Sequence, residues 1–536
     1  MSPTVDLLAY TILALAGGTL LLLVPFAVHR TYLLLLAARR RPELPTRWVG
    51  KLPHVTVQLP VYNEAAVVER LIDAACSLEY PCDRLEIQVL DDSTDGSDAL
   101  AEARVSAWRA KGTDVHHIRR TERTGFKAGA LSEGLLEAKG EFLLVLDADF
   151  VPHADLLHRL LPPFEEPGIG MVQARWDHLN ERENLLTRVQ AFLLDGHFFL
   201  EHGGRFAAGR FFNFNGTAGM WRRRCLEDAG GWEADTLTED LDLSYRAQMR
   251  GWRFGYLEDV GVPAELPAVV GSLEGQQRRW AQGGIQTARK VLPELLRGEF
   301  PGRVKVEAIF HLCGHLAHPL TLLLGILIFP SAWARQTLGL ERYLVLDLAV
   351  FAAATLPFLM FYGVAGRKRS RSWRGVVTTL PLVLATGIGL TASVAGAVLR
   401  GLVPAGGNDP FLRTPKQGAA AGGSRPGTMI PGTSKPAHTA LKLTLATWMW
   451  VCIAGAVANG FYGSLPFLLL FASGWTFLGV EGVRPIFTAP ASGMNEGAAK
   501  VWPSPQSGRE ASPELERDGK DARLVRLRDR EAGRVA

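Results

Sequence analysis

Cysteine is scarce in this 536-residue chain. Cys76, Cys82, Cys225, Cys313 and Cys452 form no Cys-x-x-Cys pair and no metal-ligand spacing, which fits a reducing compartment and predicts five buried small hydrophobes. Net charge is equally low. The 58 Lys and Arg against 54 Asp and Glu leave +4, and the basic residues are dispersed or flank apolar runs, so no nucleic-acid partner is expected. No inverted repeat of interrupted helices is visible, which weighs against a transporter. The first apolar run, residues 7–28, has no charge, no basic segment before it and no small-residue cleavage site after it, so it reads as a membrane anchor and not as a signal peptide.

What the chain does have is segregated. Apolar runs at 7–28, 308–333, 343–365, 375–399, 441–458 and 461–480 approach the roughly 20 residues that cross a bilayer core. Arg30, Arg39, Arg40 and Arg41 follow the first run and Arg367-Lys-Arg-Ser-Arg371 follows the third, placing both flanks on the cytoplasmic side. Returning the Arg-rich tail to that side leaves 375–399 as the odd run, read as a re-entrant or surface-lying helix, with five true spans. The resulting division is a membrane helix and basic flank (1–42), a cytoplasmic α/β domain (50–300), a membrane region with the interfacial helix 375–399 and a loop 400–439 (301–482), and a disordered tail (483–536). The expected location is a plasma or inner membrane, multi-pass. His311, His315 and His318 are polar groups in an apolar run and are functional candidates on that ground.

Within 50–300, residues 54–61, 85–92 and 142–146 read as strands and 65–78 as a helix, an alternation that predicts a mostly parallel sheet covered by helices. Such sheets place ligands beyond the carboxyl ends of their strands. Asp91 and Asp92 end one strand there and Asp147-Ala-Asp149 another. Hard carboxylate oxygens in that position suit Mg2+ or Mn2+ when phosphates supply the remaining ligands. Lys127, beside small residues, suits a diphosphate or a solvated loop. Thr238-Glu-Asp240 opens a helix, either as an N-terminal cap or as a fixed carboxylate able to act as a general base. Gln276-Gln-Arg-Arg-Trp280, before the membrane region, fits an interfacial anchor or a part of an active site.

These segments resemble a family. Val61-Tyr-Asn-Glu64, Leu90-Asp-Asp-Ser-Thr94, Lys127-Ala-Gly-Ala-Leu131, Asp147-Ala-Asp-Phe150, Val172-Gln-Ala-Arg-Trp176, Phe214-Asn-Gly-Thr-Ala-Gly219, Thr238-Glu-Asp240 and Gln276–Trp280 are together similar to the family 2 inverting glycosyltransferases. More narrowly they resemble the processive cellulose synthase superfamily, in particular its cellulose synthase-like A and C branches. The resemblance implies a GT-A nucleotide-sugar-binding domain set between membrane helices. It implies Asn63, Glu64, Asp91 and Asp92 at the nucleotide, Lys127 at the diphosphate, and Asp147 and Asp149 at a divalent cation and the sugar diphosphate. It implies Glu239, Asp240 and Arg279 in the catalytic set, with Asp240 as base. Asn215, Gly216, Thr217, Gln276 and Trp280 are then at the acceptor, and Phe411, Thr414, Pro415 and Lys416 in a gating loop. The implied partners are a nucleotide-sugar donor (GDP-mannose, GDP-glucose or UDP-glucose), a growing β-1,4-linked polysaccharide and the lipid bilayer. The alternative is a transferase that adds one sugar to a lipid acceptor.

Overall fold

The computed structural model describes residues 3–340, 344–404 and 434–488. Seven strands, β1 (Val55–Val61), β2 (Leu85–Asp91), β3 (Val115–Arg119), β4 (Phe142–Val145), β5 (Ile169–His178), β6 (Gly219–Arg222) and β7 (Arg253–Ala264), form one sheet in the order β3-β2-β1-β4-β6-β5-β7. All neighbours are parallel except those involving β6, which runs antiparallel to β4 and β5. The mixed, mostly parallel α/β sheet expected from the sequence is therefore present.

The central strands are buried on both faces, as parallel sheets require, yet they carry polar side chains. Register resolves this. Thr56 lies opposite Glu86 and Gln58 opposite Gln88, so Thr56 Oγ1 donates to Glu86 Oε2 at 2.6 Å and Gln58 Nε2 to Gln88 Oε1 at 3.0 Å. Helices cover both faces, with Val57, Leu59, Ile87, Val89 and Leu144 in one core and Leu143, Val145, Met171 and Trp221 in the other.

Topology brings the motifs together. β1, β2 and β4 run parallel, so the residues after Val61, Asp91 and Val145 leave the sheet at one edge. Because β6 starts at Gly219 opposite Val145, the loop before it, Asn215–Ala218, falls beside Asp147. The sequence reading had no strand for β3, β5, β6 or β7.

Five helical segments are long and apolar enough to cross a membrane among the described residues: Pro3–Ala37, Gly302–Thr337, Trp373–Leu402, Pro436–Ala458 and Tyr462–Val483. The helix Leu344–Lys368 covers the run expected at 343–365. Trp373–Leu402 stands apart, with 72% of its apolar window inside the protein against 11% for Pro3–Ala37. Both of its ends touch the α/β domain. Before it, Arg369 pairs with Asp177, and Arg371 pairs with Glu181 at 2.6 Å and with Asp195. At its far end the Gly401 and Val403 carbonyls accept from Arg289 at 3.3 and 3.0 Å.

Three expectations need correction or bounds. Cys82 is exposed, and Cys76 and Cys313 only partly buried, because they lie at helix ends rather than in the core. The last helix continues to Thr488, beyond the boundary at 482. Phe411, Thr414, Pro415 and Lys416 and the tail 489–536 lie outside the described residues.

Candidate active site

A cleft open to solvent lies over the carboxyl edge of the sheet. It is lined by Glu64, Asp92, Lys127, Asp147, Asp149, Asn215, Gly216, Glu239, Asp240, Gln276, Arg279 and Trp280. These come from seven separate segments, and each is a residue singled out from the sequence.

The floor is the Asp147-Ala-Asp149 turn after β4. Lys127, in the first turn of the helix Phe126–Glu137, reaches into it. Its Nζ donates to Asp147 Oδ1 at 2.5 Å and to the Gly216 carbonyl at 2.8 Å. Burial alone would lower the Lys127 pKa, but the carboxylates Asp147, Glu239 and Asp240 outweigh it and raise it, so the group is held as a cation. Asp149 is buried, and its backbone carbonyl accepts from Arg70 at 3.4 Å. Two hard oxygen donors beside a fixed cation fit a divalent ion that brings a diphosphate with it.

One wall is the start of the helix Glu239–Met249. Thr238 sits at its cap position, but its side chain makes no cap bond; Oγ1 instead contacts Thr287 Oγ1 at 3.1 Å. Thr238 is therefore not the cap, but Asp240 Oδ1 accepts from the Leu241 amide at 2.9 Å, so the capping reading holds for Asp240, and both Glu239 and Asp240 line the cleft. Burial first, and then the neighbouring Glu239 charge, push the Asp240 carboxyl up to about 7, against the opposing charges of Lys127 and Arg279. Gly216, with φ +78°, makes this approach possible: a Cβ there would stand 3.0 Å from Asp240 Oδ2. Gly283 does the same on the other side, where a Cβ would meet Thr238 Cγ2 at 2.6 Å.

The opposite wall is the long helix Val270–Arg297. Gln276, Arg279 and Trp280 are three and four residues apart and share one helical face, which borders the cleft. Arg278 points away from that face; burial and the nearby charge of Arg400 lower its pKa.

Three expected site residues are placed behind the cleft. Asp91 is fully buried, accepts from the Ser93 amide at 2.8 Å and contacts His117 Nε2 at 2.9 Å. Burial alone would raise its pKa, but His117 and Ser93 lower it. The cause is strand alternation: neighbours Asp91 and Asp92 face opposite sides. Asn63, at φ 57°, joins two loops, accepting from the Thr94 amide at 2.7 Å and donating its own amide to Ser93 Oγ at 2.9 Å. Thr217 is buried, and its Oγ1 accepts from the Asp147 amide at 2.8 Å.

Asp92 does border the cleft, but Arg120 grips both of its oxygens. Residues without an expected role also appear. Tyr62 and Arg123 line the cleft near Glu64 and Asp92, with the guanidinium 3.4 Å from the ring centroid. Trp176 lines the other end, its buried indole Nε1 lacking a hydrogen-bond partner among the described residues. Gln173 holds the Asn215–Ala218 loop from below, accepting from the Asn215 amide at 3.0 Å and donating to the Thr217 and Ala218 carbonyls at 3.0 and 3.1 Å. Tyr62, Gln173 and Trp176 stood inside quoted motifs; only their side-chain directions were missing.

Residues 53–283 match the family model described as "Glycosyltransferase like family 2". The chain is 42% identical over 272 residues to the probable glucomannan 4-beta-mannosyltransferase 7 of Oryza sativa subsp. japonica, covering 48% of this chain and 46% of the relative. It is 44% identical over 255 residues to the glucomannan 4-beta-mannosyltransferase 2 of Arabidopsis thaliana, covering 47% and 48%. The chain thus spans about half the length of the curated relatives it matches. Among solved structures, a mannosyltransferase from Pyrobaculum calidifontis in complex with GDP-Man and Mn2+ is similar at 24% identity, with a TM-score of 0.47 over 68% of this chain and 98% of that one.

Proposed function

We propose that this chain, whose residues 53–283 belong to the family 2 glycosyltransferases, transfers a hexose from a nucleotide-sugar donor to a growing β-1,4-linked polysaccharide with inversion at the anomeric carbon. The donor sugar is mannose, from GDP-mannose, with the glucomannan 4-beta-mannosyltransferase relatives as its support. The observation that carries the reading is the meeting of Lys127, Asp147, Asp149, Asp240, Arg279 and Trp280 around one cleft.

The acceptor hydroxyl attacks the anomeric carbon as the bond to the diphosphate oxygen breaks. Asp240 takes the hydroxyl proton, which its raised pKa makes it able to hold. Lys127 and Arg279 neutralise charge on the leaving diphosphate. Asp147 and Asp149 would hold Mg2+ or Mn2+, which when bound supplies further neutralisation of that charge. Trp280 offers a flat face for the acceptor ring, and Asn215 and Gln276 offer hydrogen bonds to its hydroxyls.

The same chain is read as a multi-pass membrane protein with this domain on the cytoplasmic side, and as the conduit for its product. The contacts of both ends of Trp373–Leu402 with the domain support a helix lying along the membrane surface; with Leu344–Lys368 counted beside the four other apolar helices this gives five spans and returns the basic loops to the domain's side.

The test is incorporation of radiolabelled sugar by membranes carrying the full chain, across GDP-mannose, GDP-glucose and UDP-glucose with Mg2+ or Mn2+. The expected result is a polymer made from GDP-mannose and digested by β-mannanase. A product confined to a single-sugar lipid sinks the polymerase reading.

A further inference from the structure

A second, shallow site shares no lining residue with the cleft and adjoins it at Asp177. It is lined by Arg41, Arg175, Lys368 and Arg369, with Phe199, Glu258, Asp259 and Ser370. The four cations share two carboxylates. Arg41 and Lys368 (3.5 Å) pair with Glu258, and Arg175 (3.5 Å) and Arg369 pair with Asp177. The third carboxylate, Asp259, is largely exposed and held by Arg159 at 2.9 Å. Arg175 is fixed from behind by the Glu258 carbonyl at 2.9 Å and lies over the Phe199 ring, 5.0 Å from its centroid. Arg41 and Lys368 each keep about a third of their side chains exposed.

We propose that this pocket binds the phosphate group of an anionic membrane lipid. Its position favours that source. Arg41 follows shortly after the apolar helix Pro3–Ala37, and Lys368 is the last residue of the helix Leu344–Lys368. Both stand where a membrane helix leaves the hydrocarbon, at headgroup depth, where basic pockets between helices take anionic headgroups. Two excess positive charges in a concave site match a phosphodiester, and a neutral zwitterionic headgroup would bring its own cation into the same pocket. The inference rests on the membrane reading above.

The full chain in a neutral detergent is titrated with short-chain phosphatidylglycerol, short-chain phosphatidylcholine or inorganic phosphate, and the thermal unfolding midpoint is followed. Phosphatidylglycerol is expected to raise the midpoint and phosphatidylcholine to leave it unmoved. Arg41→Gln combined with Lys368→Gln is expected to lose the shift. Glu258→Gln, which removes a competing carboxylate, is expected to enlarge it, whereas a purely structural role for the ion pairs predicts no gain. Equal shifts from the two lipids, an unchanged shift in the double variant, or a full shift from inorganic phosphate alone would each overturn the proposal. Alkaline carbonate extraction separates the two readings: a chain released from membranes defeats the membrane reading, and a retained chain without lipid preference defeats only this one.

Discussion

The Asp147 amide donates to Thr217 Oγ1 at 2.8 Å, so the turn carrying the two cleft aspartates is bolted to the loop carrying Asn215 and Gly216. Two elements of the cleft, 70 residues apart in sequence, are thereby one mechanical unit. The hydroxyl matters more than the methyl, because it is the hydroxyl of a buried Thr217 that the Asp147 amide bonds.

Thr217→Val keeps the shape and removes the acceptor. Loss of a hydrogen bond costs about 0.5–1.5 kcal/mol, so the unfolding midpoint should fall, and nucleoside diphosphate affinity should fall with it. Thr217→Ser should restore both. Calorimetric titration beside a melting curve checks this, and a Val variant with wild-type affinity would separate the two loops.

Asp240→Asn keeps size and polarity but cannot accept the proton. Loss of a general base costs about 10²–10⁴-fold in rate, so kcat should drop by that order while nucleoside diphosphate binding stays unchanged. An Asn variant of full activity would assign the base elsewhere.

The acidity of Asp240 gives the sign of the pH dependence. A base works only when deprotonated, and burial with the Glu239 charge raises Asp240 to about 7. Activity should therefore decline on the acid side of neutrality, approaching about tenfold per pH unit well below the pKa. Glu239→Gln removes a charge that raises the pKa, so its acid limb should move to lower pH. A limb that stays in place, read from kcat/KM against pH, would detach Glu239 from the titration.

How much of this was legible in the sequence depended on the kind of signal. β1, β2 and β4 could be read because β-branched runs ended in turn residues. β6 could not: its four residues begin only at the last glycine of the Phe214–Gly219 motif, and pairing with β4 and β5 is what makes them a strand. Asp91 is buried behind the cleft while Asp92 borders it, a difference that period-two alternation already carries. Thr217 and Gln173 were quoted within motifs, but their bonds to Asp147 and to the Asn215–Ala218 loop depend on contacts between distant segments, which spacing does not encode.

Removal of divalent cations should abolish transfer if Asp147 and Asp149 hold one. Chelator treatment followed by graded Mn2+ or Mg2+ should restore activity in the wild type. Asp149→Ala should need far more cation or fail to recover. Paramagnetic resonance of Mn2+ offers a readout independent of turnover: the bound signal should be present with nucleoside diphosphate in the wild type and weakened in the variant.

The helix Val270–Arg297 needs its own anchor, because Gln276, Arg279 and Trp280 are useful only at a fixed height over the cleft. Glu274, two residues before Gln276, is buried and paired with the fully buried Lys442 on the helix Pro436–Ala458. Its carboxylate also accepts from Ser393 and Ser434 at 2.6 Å. Breaking a buried pair leaves one charge uncompensated and costs about 3–5 kcal/mol. Glu274→Gln or Lys442→Met alone should therefore lower the melting point of the detergent-solubilised chain sharply. The double variant removes both charges and should recover most of that loss. Its activity then decides what the pair is for. A stable double variant with a raised KM for the acceptor, at unchanged nucleoside diphosphate affinity, means that the pair sets the helix's position, whereas wild-type kinetics would limit it to stability.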